Sequence, residues 1–286
     1  MEVKFPHQSF SRKIDTKKEM TIPIENTFKN GPHTASASML NKVPEVTLTF
    51  WTIKILSTTV GETGADYLAV HAGLGKSFTA AVMAILLVIA LIIQVKADKY
   101  VPWKYWLCVV LLSIVGTQIT DVLTDGLGIS LFLSTAVFSV MLAALFAVWY
   151  RSERTLSIYS ITTRRRELFY WSAILCTFAL GTASGDLATE ALGLGFRLGV
   201  VIFAVLIALI FASYRMGLNA VASFWFAYIL TRPLGASLGD LLSQARQYGG
   251  LGWGTVNTSL VFLVVIVVLV VAISVKHKPT RFAASD

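Results

Sequence analysis

The chain has 286 residues, 55% of them hydrophobic and 14% charged, with a mean hydropathy of +0.69 and a formal net charge of +8. Soluble domains carry about 25% charged residues, so this composition excludes an ordinary soluble fold and predicts an all-α polytopic membrane protein. The positive charge falls on tails and short loops, where it serves topology and anionic headgroups, so no nucleic-acid partner is expected.

In chain order, residues 1–40 are polar, contain Pro6, Pro23 and Pro32 and lack the apolar core of a secretory signal, which predicts a disordered, mildly basic cytoplasmic tail. Eight spans are then expected, near 44–70, 76–95, 103–124, 128–150, 168–189, 196–214, 217–243 and 253–275. They group as eight transmembrane helices in four parallel helical-hairpin repeats, at 41–100, 101–150, 168–214 and 215–275. A basic cytoplasmic loop at 151–167 divides the halves and a tail closes the chain at 276–286. On this map the tails and the loops on one side hold 19 of the 24 Lys and Arg. The other side holds Lys76, Arg197 and Arg246, so both termini are expected in the cytoplasm. Cys108 and Cys176 fall inside spans without CxxC spacing and are expected as buried, small apolar residues.

The repeat is written four times. Aligned on Asp66, Asp121, Asp186 and Asp240, a tryptophan lies 15 residues earlier in each (Trp51, Trp106, Trp171, Trp225), preceded by Phe50, Tyr105, Tyr170 or Phe224. Five residues before each aspartate is a glycine (Gly61, Gly116, Gly181, Gly235), and a Gly-Leu-Gly follows at 73–75, 126–128, 193–195 or 250–252. Each unit is [FY]W-x9-G-x4-D, then a turn and a blander apolar helix. Parallel entry predicts repeats related by an axis along the membrane normal, with all four tryptophans at one depth on the cytoplasmic side. Each aspartate stands about 22 Å further along its helix at ~1.5 Å per residue.

With this glycine-aspartate pattern over residues 41–275, the chain resembles bacterial multi-spanning membrane proteins built from four copies of a repeat of unknown function. The resemblance implies the architecture and little else; the expected location is a bacterial cytoplasmic membrane. It implies no activity, so function has to come from the residues.

Ionisable residues within spans are costly, about 2.5–3.5 kcal/mol each on insertion scales, and usually face a bundle interior or a water-filled cavity. Three repeats pair the aspartate with a second acid one turn away: Glu62 with Asp66, Asp121 with Asp125, Asp186 with Glu190. Such pairs repel when both are ionised, so each binds a cation, shares a proton or meets a base. Only Lys54 and Arg232 lie well inside the spans as bases, each in a single repeat. They are expected as tethered counter-ions or as marks of an anionic substrate, and Pro233 should kink its helix. The structural alternative is that the aspartates cap the Gly-Leu-Gly turns or pair locally, with Asp125 and Glu190 simply solvated.

Other classes find no support. The four histidines are scattered, and neither a Walker loop, a G-x-S-x-G elbow nor an H-E-x-x-H motif occurs. The last two spans contain no lysine for a retinal Schiff base. No enzyme activity and no cofactor are expected; a metal is left open, a carboxylate-hydroxyl site suiting Mg²⁺, Mn²⁺ or Na⁺. The expected function is a transporter or exporter of a small ion, coupled to protons through Asp66, Asp121, Asp186, Asp240 and Glu62, with lipid, the ion and a second copy of the chain as partners. The alternative is a membrane scaffold or sensor that acts through the basic loop and tail. Convergence of the aspartates favours the first; scatter to separate turns favours the second.

Overall fold

The computed structural model of the protein describes residues 41–70 and 76–276. The expected tails at 1–40 and after 276, and the first Gly-Leu-Gly at 73–75, lie outside the described residues. Among the described residues there are eight long helices: α1 (Leu48–Val70), α2 (Lys76–Val95), α3 (Pro102–Asp121), α4 (Leu131–Glu153), α5 (Arg164–Asp186), α6 (Gly195–Arg215), α7 (Ala220–Ser243) and α8 (Thr255–Lys276). Their starts are written locally. Pro102 occupies the first turn of α3, where its missing N–H has no helical partner to lose. Ser130, Thr163 and Asn219 cap α4, α5 and α7, accepting from the backbone N–H of Leu133, Arg166 and both Val221 and Ala222 respectively.

Six of these helices are long and apolar enough to cross a membrane: Ser77–Val95, Pro102–Gly126, Leu131–Glu153, Arg164–Ala191, Gly195–Arg215 and Thr255–Lys276. The other two, α1 and α7, are equally long but carry Lys54, Glu62 and Asp66, and Arg232 and Asp240. Their place explains the difference. The odd-numbered helices form an inner ring in which α1 packs on α3 and α7, and α5 packs on the same two from the opposite side. Polar groups that lipid would reject therefore face other helices.

The even-numbered helices stand outside this ring, and each packs chiefly on the inner helix of the next repeat: α2 on α3, α4 on α5, α6 on α7, and α8 back on α1. The expected hairpins are thus hairpins in connectivity and not in packing; α2 touches its own α1 only slightly. The outer helices run against the inner ones, since the Phe138 carbonyl of α4 faces Cys176 while Trp149, further along, stacks on Phe169. Outward they present rows of exposed Val, Leu, Ile and Phe such as Ile85, Val88, Ile92, Val137, Val140 and Val264. Apolar surface this extensive is compatible with a multi-pass membrane protein.

Register in the inner ring comes from the repeat glycines. The space a Cβ on Gly61 would need is filled by Ser113; on Gly116 by Phe178; on Gly181 by Arg232; on Gly235 by Thr58. Each filling residue stands eight before the aspartate of the following repeat, so one interlock recurs four times and the last returns to the first. Head-to-tail contacts of this kind close into a ring. The aromatic pairs obey the same rule: Phe50 lies 5.5 Å from Trp106, Tyr105 5.4 Å from Trp171, Tyr170 6.2 Å from Trp225 and Phe224 5.7 Å from Trp51. A hydrogen bond of 2.5 Å joins the Tyr105 and Tyr170 hydroxyls. Eight rings thus make a collar at the start of the inner helices, which run parallel. Just outside the collar, Lys42 donates to Glu167 at 2.8 Å and to the Val95 carbonyl at 3.0 Å, tying residues 41–47 to the ends of α2 and α5.

Candidate functional site

At the far end of the ring from the collar, the glycine interlock brings the four aspartates towards one axis. Glu62, Asp66 and Asp240 come closest, with one carboxylate oxygen from each lying within 4.8 Å of the others. Glu62 and Asp240 are buried and Asp66 is half-buried. Asp121 lies within electrostatic reach of Glu62, Asp66 and Asp125, and Asp186 within that of Glu62, Glu190 and Asp121. Asp240 reaches Glu62, Asp66, Asp186 and Glu190 in the same way. The repeat acids therefore form one network, to which every repeat contributes. Asp125 and Glu190 are exposed at its rim. They fall on the π-helical turns Val122–Gly126 and Leu187–Ala191, which widen the chain directly after Asp121 and Asp186.

Arg232 lies at the centre of this end. Fully buried, it donates from Nη2 to Glu62 at 2.6 Å and to the Thr117 hydroxyl, while its Cβ and Cγ occupy the space beside Gly181. One side chain of the fourth repeat thus touches the other three. The neighbouring Pro233 lies inside α7, which continues through it, and its ring packs on Gly181 and Gly185 of α5. The two glycines of α5 leave room for the proline ring.

Lys54 takes a different place from the expected counter-ion. Its Nζ lies 4.0 Å from the Phe178 ring centroid and 4.2 Å from that of Tyr228, buried between the acids and the collar and without a hydrogen-bond partner among the described residues. Aromatic faces attract a desolvated ammonium by about 2 kcal/mol. Lys54 is therefore held by rings and not by a carboxylate.

From outside, Asp66 is reached by a cleft of about 560 Å³ where the first and last repeats meet. Its walls include Asp66, Ser243, Gln244, Trp253 and Asn257. Beside it, the Thr63 hydroxyl of α1 meets that of Ser259 on α8 at 2.6 Å. Sequence reasoning missed Asn257 and Ser259 by treating the second helix of each repeat as bland, and it passed over Ser243 at the end of α7. The signal was present in the polar run Thr255, Asn257, Thr258 and Ser259 at the start of α8.

The family model described as Repeat of Unknown Function (DUF347) matches the chain at residues 49–100, 104–155, 169–216 and 223–278. The chain belongs to the DUF347 repeat family. Neither the curated proteins nor the solved structures contain a match. In this chain each DUF347 repeat supplies one inner helix with its aromatic pair, its interlocking glycine and one member of the acid network.

Proposed function

We propose that this chain is a secondary transporter of a small ion, spanning a bacterial cytoplasmic membrane eight times with both termini in the cytoplasm. The ion exchanges for protons on the acid network. The observation that carries this reading is convergence: Glu62, Asp66 and Asp240 bring one carboxylate oxygen each within 4.8 Å of the others, and Asp121 and Asp186 lie within electrostatic reach of this group. Glu62 pairs with the Arg232 guanidinium at 2.6 Å, and Asp121 and Asp186 lie within its electrostatic reach. An interior of low dielectric does not hold such an excess of negative charge bare, so mobile cations or protons balance it. Glu62, Asp66 and Asp240 are the group for the ion, and the pairs Asp121–Asp125 and Asp186–Glu190 are the group for protons. The cleft supplies an approach from one side, and the aromatic collar bars the other. A scaffold has no need of convergence.

The test is an ion-flux screen in proteoliposomes holding a pH-sensitive dye, with a panel of monovalent and divalent ions offered under an imposed pH gradient. The proposal expects ion movement accompanied by proton movement in the opposite direction. Absence of flux for the whole panel, with protein shown to be inserted and folded, would contradict it.

A further inference from the structure

We infer that Glu62, Asp66, Asp240 and Ser243 form a binding site for a hard divalent cation of the Mg²⁺, Mn²⁺ or Ca²⁺ class. This inference deepens the transport reading and rests on it for its role, though not for its geometry. The three carboxylate oxygens lie within 4.8 Å of one another. Ligands at about 2.1–2.5 Å on opposite sides of one ion are separated by about twice that distance, so a single ion can reach all three.

A second observation, independent of the acids, points the same way. The Ser243 side chain is 6% exposed, its hydroxyl has no hydrogen-bond partner among the described residues, and it lines the same cleft as Asp66, one turn along α7 from Asp240. A buried hydroxyl without a partner is left desolvated and unpaired, a penalty that an oxygen-seeking ion removes. The donors are all oxygens, and the two cysteines of the chain are buried on α3 and α5, away from this cleft, which disfavours Zn²⁺ and Cu⁺. Three carboxylates around one ion give a negative charge density better matched by a divalent than by a monovalent cation. Arg232, bonded to Glu62 at 2.6 Å, fixes that carboxylate in place, so this ligand is positioned before the ion arrives.

The probe is Mn²⁺, titrated into purified full-length protein in lipid nanodiscs and followed by electron paramagnetic resonance. The expected result is one saturable Mn²⁺ per chain, displaced by Ca²⁺ or Mg²⁺ and insensitive to a large excess of Na⁺. Asp240→Asn should weaken binding by at least about tenfold. Ser243→Ala, which removes no charge, should weaken it by less, and Glu153→Gln at the opposite end should bind as the parent does. Lack of saturable Mn²⁺ binding, equal competition by Na⁺, or unaltered binding in both Asp240→Asn and Ser243→Ala would overturn the site. Saturable binding lost in these variants, without flux in proteoliposomes, would support the site while contradicting transport. Na⁺ flux without Mn²⁺ binding would do the reverse.

Discussion

Arg232 is the residue on which the interior depends. It pairs with Glu62 at 2.6 Å, touches Thr117 and fills the space beside Gly181, so its loss strands a carboxylate and opens a gap together. Breaking a buried pair by removing one partner costs about 3–5 kcal/mol. Arg232→Met is therefore expected to lower the thermal unfolding midpoint in detergent strongly, and Arg232→Met with Glu62→Gln to recover part of the loss. A double variant no more stable than the single one would mean that the pair is not coupled. Lys54 makes the opposite case. Its ammonium rests on Phe178 and Tyr228 and has no hydrogen bond among the described residues, so Lys54→Met keeps a long stem on the rings and removes an unpaired buried charge. Its unfolding midpoint should match or exceed the parent's; a loss of more than about 2 kcal/mol would reveal a charge partner for Lys54. The sequence marked both residues as unusual, because each occurs in only one repeat. It could not say which of them would meet an acid, since that depends on which helices become neighbours.

At the scale of the element, the glycine interlock decides how close the inner helices come. Gly116→Ala would drive a methyl into Phe178 and the backbone beyond it, whereas at Gly64 the added carbon would meet only Ile114, 3.8 Å away. Overpacking costs about 1–3 kcal/mol, and alanine for glycine within a helix gains up to about 1 kcal/mol. Gly116→Ala should lower the unfolding midpoint while Gly64→Ala leaves it level or raises it, and equal effects would contradict the interlock. The register of glycine, tryptophan and aspartate was legible because a repeat of fixed spacing is a one-dimensional signal. The partner of each outer helix was not. Packing on its own repeat or on the next requires the same apolar stripe, so α2 on α3 and α8 on α1 follow only from the three-dimensional closure. The π-helical turns after Asp121 and Asp186 were likewise hidden, because they close their helices and no periodic apolar pattern follows to register the extra residue.

At the scale of the whole molecule, the chain closes head to tail, and the seam falls between the first and last repeats. Thr63 and Ser259 meet across it at 2.6 Å. In a chain whose Cys108 and Cys176 are replaced by alanine, cysteines at 63 and 259 should form an intramolecular disulfide on mild oxidation, visible as a mobility shift on a non-reducing gel. Cross-linking only between chains, or none, would contradict closure. Closure also brings the aspartate of every repeat to the same end of the ring, which is the basis of the proposed shared site. Asp186 tests that claim most directly, because it belongs to the network yet stands outside the Glu62–Asp66–Asp240 group. The decisive measurement is ion flux driven by a pH gradient in proteoliposomes containing Asp186→Asn, a change that keeps shape and removes one charge. The account predicts a folded, inserted protein whose flux is lost or no longer follows the gradient. Full gradient-driven flux in that variant would contradict a single shared carboxylate site.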